Sequence, residues 1–447
     1  MKRILSFLMS STLVITSTSQ IIACTNPLNS ENSKSNIDYL NIGKDIDTKY
    51  AYNDGVNSEE HEGFTNYYII GDSLSDMDGL TTFFSDYLGE TGKTKQSSNK
   101  IKEFNLKFKG GYGFDENEKR RNPFTNGEPA GYVIAKELHF DNLEASNYYK
   151  KIDLDIKTDY GNNYAVGGAT AAKFDSPTSK LLFNNFIIVE QTKALIEQHK
   201  IGANDFTLFQ IGPNDLFAIN EMTDDKDIDK SIQDVMDAIT YSFFSLLNNG
   251  VKNVLFMTPP TLDTIPLYNS YSEEQINKIK EIGEKFNTNL IKVINLVMKF
   301  YPENVQYYDL YKDFENVKRE YKDSDLNTSE NSNKLILDKG YSKEKQLLLT
   351  TPDKKQNGQD YKFEINSFDV NDLTEFLQEV SKISEELKGK SIDINGTMTM
   401  AYNSENGDEN IENYFFVDDV HPSKGVHKYV AMKKILPIIK DKFIKKS

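Results

Sequence analysis

The chain has 447 residues, a hydrophobic share of 38% and an aromatic share of 12%. That is enough for a packed core in one large domain or two to three average ones, and it excludes wholesale disorder. The formal net charge is −16, with no basic patch interleaved with aromatics, so no nucleic-acid partner is expected. The single cysteine, Cys24, excludes an intramolecular disulfide and a cysteine-based metal cluster.

The chain opens with Met1-Lys2-Arg3, an apolar run from Ile4 to Val14, and Ile21-Ile22-Ala23 before Cys24. A positive start, an apolar stretch and a small-residue cleavage site are the layout of an export signal. This end resembles a bacterial lipoprotein signal over residues 1–24, with Ile21 to Cys24 as the lipobox. The resemblance implies lipidation of Cys24 and a lipid-anchored position on the outer face of the cell membrane. A plain secretory signal with an incidental cysteine is the alternative. No other stretch approaches the ~18–20 apolar residues that span a bilayer. Residues 25–65 are polar, acidic and rich in Ser and Asn, which reads as a flexible stalk.

The domain proper is expected over residues 66–447. Tyr67-Tyr68-Ile69-Ile70 reads as a strand buried on both faces, stopped by Gly71 and followed by Asp72 and Ser73. Asp78 to Leu88 suits a helix, Glu90 to Glu118 a surface loop, and Tyr132 to Leu138 a helix. Asn163 to Ala169 reads as a second strand running into Gly167-Gly168, and Asn185 to Lys200 as a helix. Phe206 to Ile211 is a third strand, closed by Gly212-Pro213-Asn214-Asp215. Ile228 to Asn248 is helical, Val254 to Met257 a fourth strand, Glu273 to Phe300 a long amphipathic helix and Val305 to Tyr308 a fifth strand. Strand–helix alternation of this kind predicts an α/β fold, a parallel sheet covered on both faces. The alternation breaks near Asp313. Residues 313–412 read as a polar insertion carrying one helix, Asn371 to Leu387, and Ser423 to Lys442 as a final helix.

Phe416-Val417-Asp418-Asp419-Val420-His421-Pro422 is the second chemical stretch. A serine nucleophile needs an imidazole to take its proton and a carboxylate to hold that imidazole in the right tautomer. Asp418 and His421 lie three apart, so one turn can direct both at one pocket. Ser73 alone reads more readily as a helix cap, and Gly-x-Ser-x-Gly is absent around it. The Ser73 and Gly168 amides and the Asn214 side chain are candidate oxyanion donors. Asp418, Asp419 and His421 as metal ligands, and Asn214 and Gly167-Gly168 as plain turn residues, are the competing readings. His427 is expected to face solvent or pair locally.

Together Gly71-Asp72-Ser73-Leu74-Ser75-Asp76, Asn163 to Ala169, Gly212-Pro213-Asn214-Asp215 and Asp418-Asp419-Val420-His421-Pro422 resemble the four blocks of the GDSL, or SGNH, hydrolase superfamily. Phe124-Thr125-Asn126-Gly127 and the strand before Pro259-Pro260 resemble its lipase/acylhydrolase branch. The resemblance implies a three-layer α/β/α sandwich with a flavodoxin-like sheet, and serine catalysis of ester hydrolysis without metal or cofactor. It implies Ser73 as nucleophile, His421 as general base and acid, and Asp418 as its orienter. Gly168 and Asn214 would complete the oxyanion hole with the Ser73 amide, with Gly167 as a substitute for Gly168. The expected activity is that of a lipase or phospholipase-like acylhydrolase acting on lipid. A carbohydrate O-deacetylase or general esterase is the runner-up, and a non-catalytic binding or adhesion lipoprotein is the alternative from another class.

Overall fold

The structure, a computed structural model, describes residues 37–51, 61–83, 100–109, 113–146, 160–175, 179, 183–341, 344–356, 359–365, 391–401 and 410–444. The expected signal segment with Cys24, and the helix expected at Asn371 to Leu387, lie outside the described residues. In chain order the strands are β1 (Tyr67–Ile70), β2 (Lys100–Lys109), β3 (Phe114–Glu116), β4 (Lys119–Arg121), β5 (Phe206–Gln210), β6 (Asn253–Met257), β7 (Val305–Tyr308), β8 (Ile336–Gly340), β9 (Glu344–Gln356), β10 (Gln359–Ile365), β11 (Ser391–Ala401) and β12 (Tyr414–Phe416).

The central sheet runs β1-β5-β6-β7, every pair parallel. Asn163 adds a parallel bridge to Ile69 on the free side of β1, with Tyr164 N donating to Ile69 O and Val166 N to Gly71 O. The five segments read as strands therefore lie in the order second, first, third, fourth, fifth, which is the flavodoxin-like order. The second of them makes a single bridge and not a regular ladder.

Alternation along β5 shows how both faces are covered, because successive side chains point to opposite sides. Phe206 meets Phe443 of the C-terminal helix edge-on at 5.5 Å, and Leu208 shares that face. Helix Ala130–Glu137 approaches there so closely that a Cβ on Gly131 would lie 2.7 Å from Ile69 Cδ1 and 3.1 Å from Leu208 Cδ2. Phe209 points the other way and packs on Phe243 of helix Asp225–Asn248, ring centroids 5.0 Å apart. Helices Ile188–Gln198 and Glu273–Phe300 flank that helix. Each fully buried Phe or Leu of these layers stabilises the fold by about 1.5–3 kcal/mol. The result is a mixed α/β fold with a parallel sheet of four strands, of the SGNH hydrolase type.

Three departures from the sequence reading have physical causes. Within the expected loop Glu90 to Glu118, residues 100–109 form β2, which pairs in parallel with β11 in a second sheet ordered β10-β9-β11-β2. Its partner lies nearly three hundred residues away, where no local pattern points to it. The boundary expected at Asp313 falls inside helix Leu310–Lys322, whose Phe314, Val317 and Tyr321 are buried in the main core. Residues 37–51, part of the expected stalk, are docked in their first half. Asn248 Nδ2 donates to the carbonyls of Tyr39 and Ile42, and Tyr39 packs on Phe244 at 4.9 Å.

Candidate active site

Ser73 sits in the turn that leaves the carboxyl end of β1. Gly71 is required there, since a Cβ would meet the Gln210 carbonyl at 2.7 Å. Gln191 clamps the same residue from both sides. Its Oε1 accepts from Gly71 N at 2.9 Å and its Nε2 donates to Gly71 O at 2.8 Å. Asp72 then closes the turn: its carboxylate accepts from Leu74 N at 3.0 Å and its carbonyl from Ser75 N at 3.1 Å.

Asp418 and His421 lie in the loop after β12. Asp418 Oδ1 accepts from Val420 N at 2.8 Å and His421 N at 2.7 Å, so one carboxylate oxygen builds the turn and the other faces the imidazole. That second oxygen, Oδ2, lies 2.8 Å from His421 Nδ1, and His421 Nε2 lies 2.9 Å from Ser73 Oγ. An ionised carboxylate only accepts, so Nδ1 carries the hydrogen and Nε2 presents its lone pair to the serine hydroxyl. Asp418 and His421 are 2% and 9% exposed, so water competes little with this chain of bonds. Both ring nitrogens are thereby engaged, Nδ1 by Asp418 and Nε2 by Ser73. Among the described residues no cluster of three or more His, Cys, Asp or Glu could hold a metal ion.

The loop is braced from outside the block. β8 pairs in parallel with β12, and a side chain at Gly340 would collide with the Asp418 backbone. Leu267 N donates to the Asp419 carbonyl at 3.0 Å. The expected insertion thus contributes a strand to the loop that carries Asp418 and His421.

The glycine and asparagine blocks connect to the same centre. Asp76 Oδ2 accepts from Gly167 N at 2.6 Å, which ties the glycine turn to the serine turn. That bond takes the Gly167 N–H out of contention as an oxyanion donor. Gly168 follows with φ of +83°, a conformation that glycine adopts without strain. Among the described residues neither the Gly168 N–H nor the Ser73 N–H has an intramolecular acceptor. Asn214, in the first turn of helix Pro213–Asn220, donates from Nδ2 to Ala169 O at 2.8 Å, leaving its other amide hydrogen for a ligand. Asp215 anchors the same loop by accepting from the Ala171 and Ala172 amides.

Burial pushes the carboxyls of Asp72, Asp76 and Asp215 up to about 7, against the amides that hold them ionised. All three brace turns, and none reaches Ser73 or His421 by a hydrogen bond among those described.

His427 departs from its expected solvent-facing or locally paired position. It is 6% exposed, and its Nδ1 accepts from Ala130 N at 3.2 Å, capping helix Ala130–Glu137 from another element. Burial, and secondarily the neighbouring His421, lower its imidazole to about 3. The unfolded chain therefore binds a proton that the folded protein refuses between about 6.5 and 3. The stability involved is fully present above pH 6.5 and is lost as pH falls through that window, by about 1.4 kcal/mol per unit. The three buried carboxyls act in the opposite sense, since the folded state keeps their protons up to about pH 7. Comparison with His427→Gln isolates the imidazole. The stability difference between wild type and variant, from urea midpoints, is expected to shrink by about 1.4 kcal/mol per unit between pH 6 and 5. A constant difference over that range would refute the assignment.

Sequence reasoning did not assign roles to Phe124, Asp76 as the glycine-turn anchor, or Gln191. Asp76 carries a local signal as part of the serine block and Phe124 as part of the Phe124-Thr125-Asn126-Gly127 motif, whereas Gln191 carries none. No described helix is long and apolar enough to cross a membrane. No curated protein sequence matches the chain significantly. The family model described as GDSL-like Lipase/Acylhydrolase matches residues 67–433, from β1 past His421. With that match spanning every block joined by these hydrogen bonds, the chain belongs to the GDSL-like lipase/acylhydrolase family and is an acylhydrolase in that family's general sense.

Proposed function

We propose that the protein is a serine ester hydrolase, lipase- or phospholipase-like, working through an acyl-enzyme on Ser73. The observation that carries the reading is the continuous bond from Ser73 Oγ through the His421 imidazole to Asp418. In this reading His421 Nε2 takes the hydroxyl proton as Oγ attacks the ester carbonyl. Negative charge then gathers on the carbonyl oxygen, where the Ser73 and Gly168 amides and Asn214 Nδ2 meet it. Each such donor contributes roughly 100- to 1000-fold in rate. Collapse of the tetrahedral intermediate expels the alcohol, which takes the proton from His421. Water, deprotonated by His421, then attacks the acyl-enzyme and frees the acid and Ser73.

An apolar acyl group is favoured by what borders the site. Phe183 stands against Gly168, Leu267 beside Asp419, and Val420 within the loop that carries His421, all half-buried. The N-terminal 24 residues motivate a lipid-anchored, outward-facing enzyme with membrane lipid as substrate.

The test assays fatty-acid release from phosphatidylcholine vesicles beside turnover of short-chain and acetylated-sugar esters, with fluorophosphonate labelling of Ser73. Label on Ser73 together with release from vesicles is the expected result. Turnover of acetylated sugars alone would replace the lipid reading by that of a deacetylase. An unlabelled Ser73 with no turnover would leave a binding protein in its place.

A further inference from the structure

Phe124 touches two parts of the catalytic centre and takes no part in the chemistry above. Its ring centroid lies 5.3 Å from that of the His421 imidazole, the planes tilted by 36°. The same ring fills the space beside the glycine turn, where a Cβ on Gly167 would collide with its Cε2 and Cζ. One side chain therefore contacts both the imidazole and the residue whose next amide is that of Gly168.

The ring is held there by its own loop. Thr125 Oγ1 donates to Pro422 O at 2.8 Å, Asn126 Oδ1 accepts from Lys424 N at 2.8 Å, and Ala130 N donates to His427 at 3.2 Å. A side chain at Gly127 would meet Lys424 Cβ at 2.8 Å. These contacts fall on residues 422, 424 and 427, just past His421, so the two loops are tied together at several points. The partners are almost three hundred residues apart in sequence. A half-buried ring that served only as filler would not need a loop fixed so tightly to the imidazole's own backbone.

We infer that Phe124 is a positioning residue for the reaction proposed above. It holds the His421 ring in line with Ser73 Oγ, with Gly167 packed against the Phe124 ring as its backing. When the serine proton moves to Nε2 the ring becomes a cation, and an aromatic face within about 6 Å attracts a cation more than an aliphatic side chain does. The contact strengthens on the way to the transition state, so its loss is read in kcat and not in KM. The inference rests on His421 being the base.

The experiment uses the full chain and a short-chain nitrophenyl ester, with the rate of fluorophosphonate labelling of Ser73 as a second readout. Phe124→Leu and Phe124→Met are expected to lower kcat and labelling about 10-fold, with KM within about 2-fold. Phe124→Tyr, which keeps the ring, is expected to stay within about 2-fold of wild type. In a His421→Ala background Phe124→Leu is expected to cost nothing further, because its effect runs through the imidazole. The inference is overturned by a raised KM at unchanged kcat, by the same loss with and without His421, or by wild-type rates in both Leu and Met variants. A His421→Ala protein as active as wild type would instead overturn the proposed reaction itself, so the two failures are told apart.

Discussion

Ser73→Ala and His421→Ala are each expected to lower kcat by roughly 10⁶-fold, and the double variant is expected to be no slower than either single one. Ser73 Oγ and His421 Nε2 are 2.9 Å apart and act on one proton, so neither group retains its function without the other. An alcohol without a base is a poor nucleophile at neutral pH, and an imidazole without its serine can only activate water from the wrong place. Independent contributions would multiply to a loss near 10¹²-fold, whereas a unit fails once. What remains in every variant is the work of the oxyanion donors and of substrate binding, roughly 10³- to 10⁴-fold over water. Gly168 and Asn214 are held by contacts that involve neither replaced side chain, so this residue of activity should survive. Single-turnover kinetics on an activated ester measures all four proteins. Losses that multiply in the double variant would mean that Ser73 and His421 act on different steps.

The parts of this arrangement that the sequence carries are those whose cause is local. Tyr67 to Ile70, Phe206 to Gln210 and Val254 to Met257 are mostly apolar runs buried on both faces that end at Gly71, Ile211-Gly212 and Pro259, so strand and stop are written side by side. Gly71 and Gly212 mark turns for which the structure gives the steric reason, a carbonyl at 2.7 Å in one case and φ of +131° in the other. Asp418 and His421 were legible because one turn holds them together. The rest depends on what lies far away in sequence. Nothing within residues 163–169 distinguishes Gly167 from Gly168. The choice is made by Asp76, ninety-one residues earlier, which takes one amide and leaves the other. Lys100–Lys109 is a strand because Ser391–Ala401 lies beside it. His427 reads as a surface residue of the last helix until the start of helix Ala130–Glu137 is placed over it. Phe124 belongs to a short motif whose use appears only when its loop meets residues 421 to 427.

Asp418→Asn is expected to lower kcat by about 10⁴-fold while leaving thermal stability nearly unchanged. The carboxylate does two jobs with two oxygens. Oδ1 collects the Val420 and His421 amides, and Oδ2 receives the hydrogen of His421 Nδ1. Asparagine is nearly isosteric and keeps an oxygen for the two amides, so the turn is retained. Its NH₂ group then faces Nδ1 as a donor, and Nδ1 must accept. The ring proton moves to Nε2, where it points at Ser73 Oγ, and the lone pair that should take the serine proton is gone. The imidazolium formed during attack also loses its counter-charge. Alanine at the same position would confuse the matter, because it strands two buried amides at about 1–3 kcal/mol each. The asparagine variant therefore separates chemistry from folding. Its melting temperature within a few degrees of wild type, with kcat down about 10⁴-fold and fluorophosphonate labelling slowed in parallel, is the expected pattern. A variant that keeps kcat within tenfold would show that Asp418 builds the loop and does not set the tautomer. The base would then draw its orientation from the Ser73 side and from Phe124, the other described contacts of the ring.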